Sequence, residues 1–203
     1  ERLGEGRGGF VMVVGEAGIG KSRLVAEVRK AYGASRRLPD ATVSSRSSPV
    51  RVHWIEGRCL SYDGSVAYHL WQDLLREAVG ASLDDPPDLV ASALRELIAS
   101  LCPYSQERNY AFLARLMALP LPAEWEAKLD SMGAPALQRH TFDAMESVLG
   151  CAAQNRPVVM VCEDLHWGDP SSLALLKHLA PLAERTPLLL ICVFRPEPDQ
   201  SHP

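Results

Sequence analysis

Phe10-Val11-Met12-Val13-Val14, then Gly15-Glu16-Ala17-Gly18-Ile19-Gly20-Lys21-Ser22, then Arg23-Leu24-Val25-Ala26-Glu27-Val28: the fold is decided in this run of residues. An apolar stretch rich in valine, a glycine-rich turn and a helically spaced apolar pattern follow one another without a break, which predicts strand, loop and helix. The loop reads Gly, four residues, then Gly-Lys-Ser, the spacing of a phosphate-binding P-loop. Gly15, Gly18 and Gly20 reach backbone angles closed to residues with a Cβ, so the loop curls and aims successive N–H groups at one anion. The helix starting near Lys21 adds its unpaired donors and the positive end of its dipole at the same point. Lys21 is then a mobile cation for β- and γ-phosphates, and the Ser22 hydroxyl a small hard ligand for Mg²⁺. A glycine-rich turn without a ligand is the rival reading, and the correctly placed strand and helix weigh against it.

The second informative stretch lies far downstream. Val158-Val159-Met160-Val161-Cys162 is a continuous apolar run, as expected of a parallel strand buried on both faces, and it ends in Glu163-Asp164. In a P-loop fold an acidic residue at the carboxyl end of a neighbouring strand reaches the metal held by the loop serine. Successive strand residues point to opposite sides, so the two carboxylates take different parts. Glu163 is assigned to the metal shell and Asp164 to polarising the attacking water. Taken alone, an acidic pair after an apolar strand reads as a charged strand end; the P-loop upstream shifts the balance towards function.

Asp169-Pro170-Ser171-Ser172 is a helix start, and Leu173, Leu176 and Leu179 form the buried face of that helix, which Pro181 should kink or stop. His166 has two readings, a catalytic base or γ-phosphate sensor and a structural histidine beside Trp167; the structural one is the commoner. The last strand, Leu188 to Phe194, delivers Arg195 at its tip. There a guanidinium either meets the γ-phosphate or is merely solvated, and geometry alone leaves both open.

Between these stretches, residues 1 to 9 are a glycine-rich lead-in and 34 to 49 a Ser-, Pro- and Arg-containing linker, read as a mobile solvated loop. Gly33 is placed to end the first helix. Val50, Val52 and Trp54 alternate with Arg51, His53 and Ile55, which predicts a strand exposed on one side near a sheet edge and closed by Gly57-Arg58-Cys59. From about 60 to 135 the spacing is helical, carried by Leu70, Trp71, Leu74, Leu75 and Ala78, by Val90, Leu94, Leu97 and Ile98, and by Phe112, Leu113, Leu116 and Met117. Trp71, Tyr110 and Trp125 within it read as core or partner-facing residues rather than a cofactor box. A further helix carries Leu137, Thr141, Met145, Val148 and Ala152.

A chain of 203 residues, 47% of them apolar, is long enough to bury a core. The net charge of −4 gives no footprint for nucleic acid or an anionic membrane. The longest apolar run is too short to span a bilayer and no leader opens the chain, so a cytoplasmic protein is expected. Cys59, Cys102, Cys151, Cys162 and Cys192 are odd in number and widely spaced, which predicts free thiols in the core and neither disulfides nor a zinc site.

With Gly-Glu-Ala-Gly-Ile-Gly-Lys-Ser-Arg-Leu, Val-Cys-Glu-Asp-Leu-His-Trp-Gly-Asp-Pro-Ser-Ser-Leu and Val-Phe-Arg-Pro-Glu in hand, the chain resembles, over nearly its whole length, the STAND-type signal-transduction P-loop ATPases of the AAA-like group. The likeness extends to the ATPase modules of MalT/LuxR-type transcriptional regulators and of proteins that carry a class III nucleotide cyclase. The resemblance implies an α/β, three-layer P-loop NTPase (ASCE/AAA-like) with a parallel sheet in the order 5-1-4-3-2 and an all-helical insert between strands two and three. It implies ATP or ADP with Mg²⁺, slow hydrolysis, self-association when ATP-bound, and regulatory domains downstream. By position, Gly15, Glu16, Ala17, Gly18, Ile19, Gly20, Lys21, Ser22 and Arg23 form the nucleotide-binding set. Ser22 and Glu163 would hold the metal, Lys21, Glu163 and Asp164 serve hydrolysis, and Arg195 matches the sensor arginine. The chain departs from the family in having Glu163 where Asp is common, in Pro181, in the long segment after the first helix, and in lacking the upstream signature helix and the fifth strand. The expected function is an ATP-dependent switch core, residues 1–203, truncated at both ends. Its rivals are a small-molecule or nucleotide kinase, which would need an arginine-rich lid where only Arg76, Arg95, Arg108 and Arg115 are scattered, and a module that binds ADP or ATP without turnover.

Overall fold

Four apolar stretches build the sheet: β1 (Gly9–Val14), β2 (His53–Arg58), β3 (Val158–Glu163) and β4 (Leu188–Phe194). The structure, a computed structural model, describes residues 2–31, 52–61 and 66–196. The expectations for the linker at 34–49, the helix end at Gly33 and the strand start at Val50 and Arg51 lie outside the described residues. All strand pairs are parallel and the order is β1-β4-β3-β2, the 1-4-3-2 part of the expected order. The acidic strand β3 is therefore next but one to β1, with β4 between them, rather than its direct neighbour.

Two helical layers of unequal thickness cover the sheet. On one face Val158, Met160, Cys162, Leu188, Leu190 and Cys192 join the large core formed with α2 (His69–Val79), α3 (Pro87–Leu101), α4 (Gln106–Leu116), α6 (Ala134–Asn155) and α7 (Pro170–Arg185). On the other face Val159, Val161, Ile191 and Val193 meet Trp54 and, from α1 (Lys21–Ala31), Val25. This alternation along β3 and β4 is the period of two that a strand imposes, and it explains why their apolar runs are unbroken. The second layer is thin. Val25 is the only buried residue of α1, Leu24 is 55% exposed, and Met12 on the outer strand β1 is 64% exposed.

The expected one-sided exposure of β2 is corrected: β2 is an edge strand, yet Val52, His53, Trp54 and Ile55 are all buried. One face is closed from the side of α1, where Arg29 Nη1 lies 3.3 Å from Glu56 Oε1. The other is closed by α2, which packs on bare backbone, since a Cβ on Gly57 would stand 2.6 Å from Leu74 Cγ. Gly57 and Arg58 belong to the strand rather than to a turn that closes it.

The helical span contains one more helix than its spacing predicts, α5 (Ala123–Asp130), in which Leu129 is the only buried residue. Trp71 is a core residue whose Nε1 donates to Ser172 O at 3.1 Å, tying α2 to α7. Asp169 caps α7 as expected, its Oδ1 accepting from Ser172 N at 2.9 Å, and it also accepts from Tyr68 N at 3.0 Å at the entry of α2. Of the two outcomes expected at Pro181, a kink or a stop, the stop is corrected: α7 continues through it to Arg185. Leu179, Leu182 and Ala183, all buried, anchor the helix on both sides of the missing hydrogen bond.

Cys102 and Cys151 are joined in a disulfide between the end of α3 and α6, their Cα atoms 6.1 Å apart. This corrects the expectation of five free thiols. Packing of α3 against α6 brings the pair together, and a separation of 49 residues carries no trace of it. Cys59, Cys162 and Cys192 are buried and free, and burial pushes the Cys59 thiol up to about 12, so it stays protonated and unreactive. Among the described residues no helix is long and apolar enough to cross a membrane.

Candidate functional site

The register of the sheet assembles the site. Val14 pairs with Phe194, and Arg58 with Glu163. The carboxyl ends of the strands therefore release Gly15, Arg195, Asp164 and Cys59 at one edge, where ligands of open α/β sheets bind. A cleft of about 340 Å³ opens there, lined by the P-loop residues Ala17, Gly18, Gly20, Lys21, Ser22 and Arg23 and by Arg58, Glu163, Asp164 and Arg195.

Within the loop, Gly18 (φ 79°) and Gly20 (φ 95°) hold left-handed backbone that a side chain would strain. Gly15 is less constrained: its φ is not positive, and a Cβ there would meet the end of the Ile19 side chain, which is exposed and free to turn aside. Lys21 Nζ donates to Gly15 O at 2.6 Å and to Glu16 O at 2.8 Å, so the cation lies over the loop. Gly15, Glu16 and Ile19 do not line the cleft; they shape the loop through that backbone and that contact, and the Ile19 side chain is largely exposed.

On the opposite wall, Glu163 is the last residue of β3 and Asp164 leaves it in a left-handed conformation (φ 54°, ψ 38°), which Asp tolerates better than most residues. The turn throws the Asp164 side chain out of strand geometry and leads into a 3-10 turn over Leu165–Trp167. Non-glycine residues held in this region cost about 1–3 kcal/mol and cluster at functional sites.

Arg58 is the residue that sequence reasoning missed. Its Nε and Nη2 both donate to Glu163 Oε2, the former at 3.1 Å, and its Nε lies 3.7 Å from Asp164 Oδ2. The hydrogen bond to Glu163 holds Arg58 charged more firmly than usual, against the opposing pull of partial burial. The only signal was its place at the end of a strand, and nothing in the spacing says that β2 abuts β3. Asp73 of α2 braces the same point by accepting from Arg58 N at 2.9 Å.

His166 does not line the cleft. Its ring packs 5.1 Å from that of Trp167, and both of its nitrogens are shielded without a hydrogen-bond partner among the described residues. Burial holds it below the ordinary histidine range, with Asp164 opposing and Arg195 and Lys21 adding to the shift. Three of the four arginines of the helical span are engaged elsewhere: Arg115 with Asp130, Arg108 with Asp143, and Arg95 over Tyr110.

Four cations against two carboxylates make the cleft suited to a polyanion. The donor set also fits Mg²⁺, because Ser22 and Glu163 offer hard oxygens. Among the described residues no group of three or more His, Cys, Asp or Glu is arranged to hold a metal. A Mg²⁺ ion held by Ser22 and Glu163 would need further oxygen ligands, such as the waters and phosphate oxygens that Mg²⁺ ordinarily keeps.

A parallel α/β sheet with a glycine-rich loop between its first strand and first helix defines the chain as a P-loop domain. The family of the AAA ATPase domain matches residues 1–191, and the chain belongs to it. Proteins of that family are nucleotide-binding ATPases that generally use ATP and Mg²⁺. The chain is also similar to an uncharacterized protein, R02095, of Rhizobium meliloti (strain 1021), with 27% identity over 191 residues. That match covers 94% of the chain and 16% of the relative, so the chain spans a small part of the relative's length. No solved structure matches the chain.

Proposed function

We propose that the chain is the ATP-binding, slowly hydrolysing core of a regulatory switch within a larger cytoplasmic protein, of the STAND type that its motifs resemble. The observation that carries the proposal is the single cleft in which the strand register brings Lys21, Ser22, Arg58, Glu163, Asp164 and Arg195 together. The loop amides and the Lys21 ammonium bind the β- and γ-phosphates. Ser22 and Glu163 would hold Mg²⁺, which would supply positive charge against the phosphates. Asp164 orients a water and accepts its proton, and Arg195 faces the γ-phosphate and reports its presence. Self-association in the ATP-bound form and signalling to further domains complete the reading; the relative's much greater length is consistent with such domains.

The test is the fate of label from the γ-phosphate of ATP. Release to water, dependent on Mg²⁺, is expected. Transfer to a metabolite instead would establish the kinase reading, and binding without release would establish an inert nucleotide-binding module.

The Arg58 ion pair occupies Oε2 of the Glu163 carboxylate, so a metal that uses that oxygen competes with a guanidinium. A partly exposed pair of this kind is worth about 1 kcal/mol. Arg58→Ala is therefore expected to lower the Mg²⁺ concentration at half-maximal hydrolysis about fivefold. A metal titration of the ATPase rate checks this, and an unchanged or raised half-point would contradict it.

A further inference from the structure

A second concavity lies away from the nucleotide cleft, among α3, α4 and α5. At about 440 Å³ it is the larger of the two, and it shares no lining residue with the cleft. Two aromatic rings stand in its wall, Tyr110, 6% exposed, and the half-buried Trp125. Each ring already carries a cation of the chain: the Arg95 guanidinium carbon stands 4.3 Å from the Tyr110 centroid, and Lys128 Nζ 4.3 Å from that of Trp125. The ring quadrupoles are thus presented where positive charge reaches them.

Around the rings stand Glu96, Glu107 and Glu124, and none of the three has an ion-pair partner among the described residues. The one cation in the lining, Arg95, is stacked on Tyr110. The groove therefore combines π faces with an uncompensated negative charge, in a volume typical of small-molecule pockets rather than of a surface that seats a whole helix.

We propose that this groove binds a small organic cation carrying a guanidinium or ammonium group. The cationic head stacks on Tyr110 and Trp125 and is met by Glu107 and Glu124, and the Arg95 and Lys128 side chains are the internal competitors that it displaces. The site is independent of the nucleotide reading, and it fails or stands on its own ligand.

The experiment is a calorimetric titration of the chain with agmatine, alongside an uncharged alkylurea of equal length, with tryptophan fluorescence followed in parallel. Saturable binding of agmatine at one per chain is expected, with a fluorescence change that Trp125→Phe removes. The urea should not bind. Glu107→Gln combined with Glu124→Gln replaces two exposed carboxylates, so the thermal midpoint should hold while agmatine affinity falls about tenfold or more. Arg95→Ala should tighten binding by vacating Tyr110. The proposal is overturned by absence of saturable binding, by equal binding of the urea, or by an undiminished affinity in the double variant. Loss of ATP binding in the same double variant would also count against it, because the two sites share no residue.

Discussion

Lys21→Ala is expected to abolish measurable Mg·ATP binding at nucleotide concentrations that saturate the wild type, while the fold survives. The ammonium is the only cation placed on the loop itself, within 2.6–2.8 Å of the Gly15 and Glu16 carbonyls that frame the phosphate nest. A hydrogen bond to a charged group is worth roughly 1.5–3 kcal/mol, so losing it from a triphosphate weakens binding by a factor on the order of 100. The cost to stability is small, because neither carbonyl belongs to the sheet or to a core cluster. Calorimetric titration and a thermal melt together decide this. Binding within a few-fold of wild type would remove the loop from the phosphate site, and a melt that collapses in parallel would assign Lys21 to the fold.

Asp164→Asn is expected to separate binding from turnover. Asparagine tolerates the left-handed backbone at this position as well as aspartate does, so the turn from β3 into Leu165–Trp167 is preserved. On the proposed reading what is lost is the proton acceptor, and removing a general base lowers rate about 10²–10⁴-fold. Nucleotide affinity should stay within about threefold, since the substitution removes one negative charge from a cleft that binds an anion. Phosphate release measured beside a binding isotherm gives both numbers. Hydrolysis at the wild-type rate would mean that Asp164 does not orient the water.

The two halves of this site differed in how plainly they could be read from the chain. The P-loop is local: spacing alone places Gly18, Gly20, Lys21 and Ser22, and the structure corrects only Gly15, whose backbone is not left-handed. β3 is legible because burial on both faces requires an unbroken apolar run. Arg58 is not, because its role depends on β2 lying beside β3 with Arg58 in register with Glu163, a pairing between residues 105 apart in sequence. The burial of His53 and Val52 was hidden for a similar reason, since alternation reports a strand's own faces and not the helices that cover them. α5 escaped because Trp125 and Leu129 alone carry too little apolar periodicity, and the Cys102–Cys151 pair because helix packing brings it together. Pro181 does not stop its helix because local propensity yields where buried leucines flank the break.

The central claim is that loop and acidic strand end serve one metal-bound triphosphate, and the dependence of ATP affinity on Mg²⁺ tests it most directly. Titrations of wild type and Glu163→Gln, each with and without Mg²⁺, isolate the contribution of the carboxylate that connects the two halves. The account predicts that Mg²⁺ tightens ATP binding to the wild type about tenfold or more and that Glu163→Gln loses most of that gain while still binding metal-free ATP. A gain from Mg²⁺ that is the same in both proteins would contradict it.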